Sequence, residues 1–156
     1  EGAPKCRWLL GAFKVDVMPT DSDTTGLNTR WFPEVLERSV AVPYKDQSFK
    51  LVSPVGLLVT KYLTFTERGK GDFMMSHDME DFIAVIDGRE NIVAEIDRSA
   101  LDFRGYLLSA VRALVSDEDF HDALPGYLQP DSASQARLPS LRKKLDSIAC
   151  LPDLAD

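Results

Sequence analysis

Histidine, cysteine and long apolar runs are what this sequence lacks. It holds two histidines and two cysteines in 156 residues. With only His77, His121, Cys6 and Cys150 to draw on, and no finger spacing among them, a His-rich or finger-type zinc site is excluded. Two cysteines near opposite ends also fall short of a disulfide framework, so free thiols in a reducing compartment are expected. The best apolar stretch, Val55 to Phe65, is interrupted by Lys61 and stays well under the ~18 residues of a membrane helix. No Asn-x-Ser/Thr acceptor and no signal-peptide pattern is present. Together these absences lead to the expectation of a soluble, cytoplasmic protein.

Positive charge is in the minority, with 18 Lys and Arg against 25 Asp and Glu for a net charge of −7. Non-specific adhesion to nucleic acid or to an anionic membrane is therefore not expected, and any polyanion must be met by a local cluster of cations. What remains is ordinary globular composition, 44% hydrophobic and 28% charged, at a length that can bury a real core.

Residues 1–52 read as strand and turn. Cys6 to Leu10 and Phe13 to Val17 are β-prone runs joined by Gly11-Ala12, which predicts a hairpin. Asp21 to Asn28 is loop composition, and Trp31 to Arg38 fits a short helix with Pro33 in its first turn. Ser39 to Val42 and Ser48 to Val52 read as two further strands, separated by Pro43-Tyr44-Lys45-Asp46. From residue 53 to 156 the period is helical. Ser53 and Pro54 open a helix with the stripe Val55, Leu58, Val59, Tyr62 and Leu63, and Gly69-Lys70-Gly71 ends it. Ser76 opens the next, which buries Met79, Phe82, Ile83 and Ile86 and stops at Gly88. Ser99 with Asp102 resembles a capping box before Leu101 to Val115, and Asp117 to Leu124 fits a further short helix. Leu138, Leu141, Leu145 and Ile148 form a last stripe, in which Pro139 marks a break or a fresh start. Strands first and helices after predict an α+β fold, a sheet edge covered by a helical C-terminal half.

Several motifs fail on inventory. Asp21-Ser-Asp-Thr-Thr-Gly26 copies the opening of an EF-hand loop, but the twelfth position holds Phe32 in place of the required Glu. His77-Asp78 would need a further His upstream to act as an HD-type metal dipeptide. Gly69-Lys70-Gly71 lacks the rest of a phosphate loop. Two features survive. Asp16 is a lone carboxylate between Val15 and Val17 on a strand, either turned to solvent like Lys14 or presented to a shared metal ion. Lys61 to Asp81 reads Lys-x6-Arg-x8-His-Asp-x-x-Asp, which puts Lys61 and Arg68 on one helix and Asp78 and Asp81 on one face of the next. This arrangement serves equally as an internal ion-pair network or as a binding site.

Val15-Asp-Val-Met-Pro-Thr-Asp21, Arg30-Trp-Phe-Pro-Glu34, Leu57 to Arg68 and the continuation through Ser76-His-Asp-Met-Glu-Asp-Phe-Ile83 to Asp87-Gly-Arg89 together resemble bacterial proteins of the AbiEii/AbiGii type. These are a branch of the nucleotidyltransferase superfamily. The resemblance implies the rear part of a polymerase-β-like nucleotidyltransferase core over residues 1–52 and a helical domain over 53–156. It implies Asp16 as the third carboxylate of a magnesium site, Lys61 as the lysine that meets nucleotide phosphate, and Arg68 as its assistant. Asp78 matches the acid of the family's Arg-Asp-x-x-Asp-like motif, with His77 standing where Arg is common, and Asp81 matches the second, structural acid. The implied reaction transfers NMP from an NTP to an RNA 3′ end, such as a tRNA, or to a protein hydroxyl. The implied context is the toxin of a toxin–antitoxin pair, with an antitoxin protein as partner. Arg137, Arg142, Lys143 and Lys144 are candidates for steering RNA phosphates, or else the solvated face of the last helix. In that family a Gly-Gly/Ser turn and an Asp-x-Asp pair stand several dozen residues before the third carboxylate. Fifteen residues precede Asp16, so the chain is expected to be a portion of a longer protein or a catalytically silent binding module of the same fold.

Overall fold

The structure is a computed structural model that describes residues 7–17, 20, 28–68 and 71–153. It opens with two short hairpins. Strands β1 (Arg7–Leu10) and β2 (Phe13–Asp16) pair antiparallel, with Trp8 opposite Val15 and Leu10 opposite Phe13. Gly11 makes the tight turn possible by adopting φ 61°, a left-handed value that a hairpin turn needs and a side chain resists. After helix α1 (Phe32–Glu37), strands β3 (Val40–Tyr44) and β4 (Gln47–Leu51) form the second hairpin. Pro43, expected in the connecting turn, lies within β3 opposite Ser48, which a strand with a free edge tolerates.

Among the described residues the strands make two separate two-stranded sheets. Every strand residue is exposed. The helical half therefore does not cover a sheet edge here. The pleat turns Trp8, Leu10, Phe13 and Val15 to one face of the first hairpin and Val40, Val42, Tyr44, Phe49 and Leu51 to one face of the second. The fold is mixed, with helices the larger part.

The core lies among helices. Helix α2 (Pro54–Arg68) packs against α3 (His77–Gly88), which is followed by α4 (Ile92–Asp97), α5 (Leu101–Val115), α6 (Glu118–Ala123), a 3-10 turn at Leu124–Tyr127, α7 (Ser132–Gln135) and α8 (Leu138–Ala149). Leu58 and Val59 of α2, Phe82, Ile83 and Ile86 of α3, Leu107 and Val111 of α5, and Leu141 and Ile148 of α8 are completely buried. The stripes read from the sequence are thus the core contacts. Ser53 and Ser76 cap their helices, accepting from the Gly56 and Met79 amides. Pro139 falls in the first turn of α8 and is a fresh start. Gly56 lets α1 approach α2 closely, since a Cβ there would stand 3.2 Å from Val35 Cγ1.

One further local expectation is corrected. The Ser99 hydroxyl does not cap α5; it donates to the Ile96 carbonyl at 2.7 Å and closes α4, a helix the apolar period alone did not reveal because it is only six residues long. Helix α7, four residues capped by Asp131, was likewise too short for a period. Residues 21–27 of the expected loop and the Gly69-Lys70 part of the expected helix stop lie outside the described residues.

Candidate phosphate-binding site

Helices α2 and α3 form a helical hairpin, and its connector is pinned at several points. Phe73 stacks on Phe65 of α2 with ring centroids 5.2 Å apart and meets Phe120 edge-on at 5.6 Å. The Tyr127 hydroxyl donates to the Phe73 carbonyl at 2.5 Å. Asp72 accepts from the amides of Met74 and Met75. At the other side, Asn28 donates to the Glu67 carboxylate and ties the chain before α1 to the end of α2.

This framework brings Lys61 and Arg68 from α2 to Asp78 and Asp81 from α3. Lys61 Nζ lies 2.9 Å from Asp78 Oδ1 and 2.6 Å from Asp81 Oδ2, and Arg68 Nη2 lies 3.4 Å from Asp78 Oδ2. Asp78 therefore divides its oxygens between two cations. Side-chain exposure grades the four groups: 18% for Asp78 and 26% for Lys61, against 57% for Asp81 and 58% for Arg68. Burial disfavours the charged form of Lys61, yet the hydrogen bonds to Asp81 and Asp78 outweigh it and hold its pKa above the usual lysine value. The ammonium stays protonated, so it acts as a charge and not as a base.

His77 stands apart from this cluster. Its Nδ1 is 2.8 Å from Glu80 Oε2, and the pair is open to solvent. The hydrogen bond to Glu80 raises the pKa of the imidazole. The imidazole is thus paired with Glu80 on its own helix.

Asp16 lies on β2 and makes a two-point ion pair with Arg7, Nε to Oδ1 and Nη2 to Oδ2, both at 2.8 Å. Arg7 holds the carboxyl below the ordinary aspartate pKa. Asp16 is not an ion-pair partner of Lys61. Among the described residues no three His, Cys, Asp or Glu side chains form a group that would hold a metal ion.

The C-terminal cations are used in two ways. Arg137 pairs with Asp87 at 3.0 Å, and Lys144 donates to the carbonyls of Ile86, Asp87 and Arg89, capping the end of α3. Arg142 and Lys143 face solvent. No helix among the described residues is long and apolar enough to cross a membrane.

No family model, curated protein or solved structure matches this chain.

The sequence pointed to Lys61, Arg68 and Asp78 as a group, and the helical hairpin brings them together. It understated Asp81, which makes the shorter contact to Lys61. The i, i+3 spacing put Asp81 on the face of Asp78, but its 2.6 Å contact with Lys61 depends on how the two helices pack. The Tyr127 anchor had no signal in the sequence, since it joins Phe73 across 54 positions.

Proposed function

We propose that this chain is the phosphate-handling portion of a magnesium-dependent nucleotidyltransferase that moves NMP from an NTP to an RNA 3′ end or a protein hydroxyl. One observation supports it most: Lys61 and Arg68, two cations about two turns apart on one helix, are aligned by the two oxygens of a single half-buried acid, Asp78. Two cations held in register at a partly exposed point suit the negative oxygens of a triphosphate. Their task in phosphoryl transfer is positioning and charge neutralisation, which is where such catalysis resides. Magnesium belongs to the reaction that the resemblance implies. Asp16 is the carboxylate of this chain that the resemblance assigns to it, and Arg7 pairs with both of its oxygens. A toxin role with an antitoxin partner is part of the same proposal, as is RNA contact through Arg142 and Lys143.

The test is transfer of label from radiolabelled NTPs to RNA or protein by the full-length protein and its Lys61→Ala variant. Abolished transfer in a folded variant supports the reading. Unchanged labelling refutes the role of Lys61.

A second reading is favoured by the contacts of Lys61 to both Asp78 and Asp81. They fit a structural ion-pair network in a non-catalytic module. That reading requires clear destabilisation by Lys61→Ala and by Asp78→Asn in thermal unfolding, with no nucleotide effect.

A further inference from the structure

We propose that Asp81 is a built-in competitor for the phosphate position on Lys61, so that nucleotide binds by displacing it. This inference rests on the phosphate-binding role of Lys61 proposed above. An ammonium has three N–H donors, and Lys61 directs contacts at two carboxylates, Asp78 Oδ1 and Asp81 Oδ2.

The two acids are not equivalent. Asp78 is mostly covered and holds both Lys61 and Arg68, so removing it would misalign two cations at once. Asp81 is 57% exposed and, among the described residues, makes its ion pair with Lys61 alone. An exposed carboxylate returns to water at little cost, because such pairs gain little over solvation. Asp81 is the partner that can leave.

Charge leads to the same assignment. Lys61, Arg68 and Asp78 together carry one net positive charge, which attracts a phosphate. Adding Asp81 brings the sum to zero and puts a negative oxygen 2.6 Å from the ammonium, a distance at which a phosphate oxygen would itself be bound. The carboxylate and the phosphate are rival acceptors for one donor. Asp81 thereby sets a threshold: weakly charged anions do not displace it, and a triphosphate, with more negative charge to offer, does.

The experiment is calorimetric titration of the full-length protein with the magnesium complexes of the four NTPs and with inorganic tripolyphosphate. Wild type is compared with Asp81→Asn, Asp81→Ser, Asp81→Glu and Lys61→Met, and folding is checked by thermal unfolding. Asp81→Asn and Asp81→Ser are expected to bind triphosphate about three- to tenfold more tightly than wild type, with the gain largest for inorganic anion. Asp81→Glu, which keeps the charge, is expected to stay near wild type. A merely structural Asp81 would lower the melting temperature without ever raising anion affinity. Binding by both neutral variants that equals or falls below wild type, with Lys61→Met abolishing binding, would overturn this inference and leave the phosphate role standing. Absence of binding in wild type and in both neutral variants would overturn the two together.

Discussion

Lys61 and Asp78 lie seventeen residues apart in the chain and 2.9 Å apart in space, joined by a connector that Phe73 and Tyr127 lock against the helices behind it. The pair is partly covered, whereas Asp81 beside it is largely in water. That difference in burial decides how each position should respond to substitution.

Lys61→Ala is expected to lower stability by only about 1 kcal/mol, because ion pairs with this much solvent contact contribute little net free energy. Urea unfolding measures it. A loss several times larger would favour the structural network over the binding site.

Arg104 and Asp97 should respond asymmetrically. The Arg104 side chain is 2% exposed and donates to Asp97 and to the Pro152 carbonyl, whereas Asp97 is 47% exposed. Asp97→Ala leaves a buried guanidinium with one protein acceptor fewer and is expected to cost roughly 3 kcal/mol. Arg104→Met removes the buried charge itself, leaves Asp97 free to hydrate, and is expected to cost less. Equal losses in chemical denaturation would contradict this account.

Lys144 and its neighbours separate in the same way. Lys144→Met uncovers three carbonyls at the end of α3 and is expected to destabilise by about 1–2 kcal/mol. Arg142→Ser and Lys143→Ser, which are exposed, should stay within about 0.5 kcal/mol of wild type. If those two residues contact RNA, their loss appears instead as a smaller salt dependence of RNA binding.

His77 predicts a pH effect. Its folded pKa is raised by the hydrogen bond to Glu80, above an unfolded value of 6.5. A raised pKa means that the folded state binds the proton more tightly. The contribution is therefore fully present below the unfolded pKa and is lost as pH rises through the folded value. An NMR titration of the His77 ring should show a midpoint above that of His77 in a Glu80→Gln variant. Coincident midpoints would remove Glu80 as the cause.

Much of the helical half was legible in the sequence because local rules govern it. Ser76 before Met79-Glu80 and the stripe Met79, Phe82, Ile83, Ile86 specify a cap and a buried face within one stretch of chain. The hairpins were legible for the same reason, since Gly11-Ala12 turns the chain back on its neighbour. Where two local signals competed, the sequence misled. Ser99 could close the helix before it or open the one after it, and packing of α4 decided for the first.

Periodicity and capping act over a few residues, so the longer amphipathic helices, the Ser53 and Ser76 caps, and the placing of Lys61 and Arg68 on one helix and Asp78 and Asp81 on the next were legible in the chain alone. Which charges meet was fixed by the packing of the helices. The tertiary structure gave Lys61 two acids with unequal burial, turned Lys144 from a surface cation into the cap of a distant helix, and paired Asp16 with Arg7. The physical reason is that an ion pair is set by distance and solvent access, and both emerge only when the helices have packed.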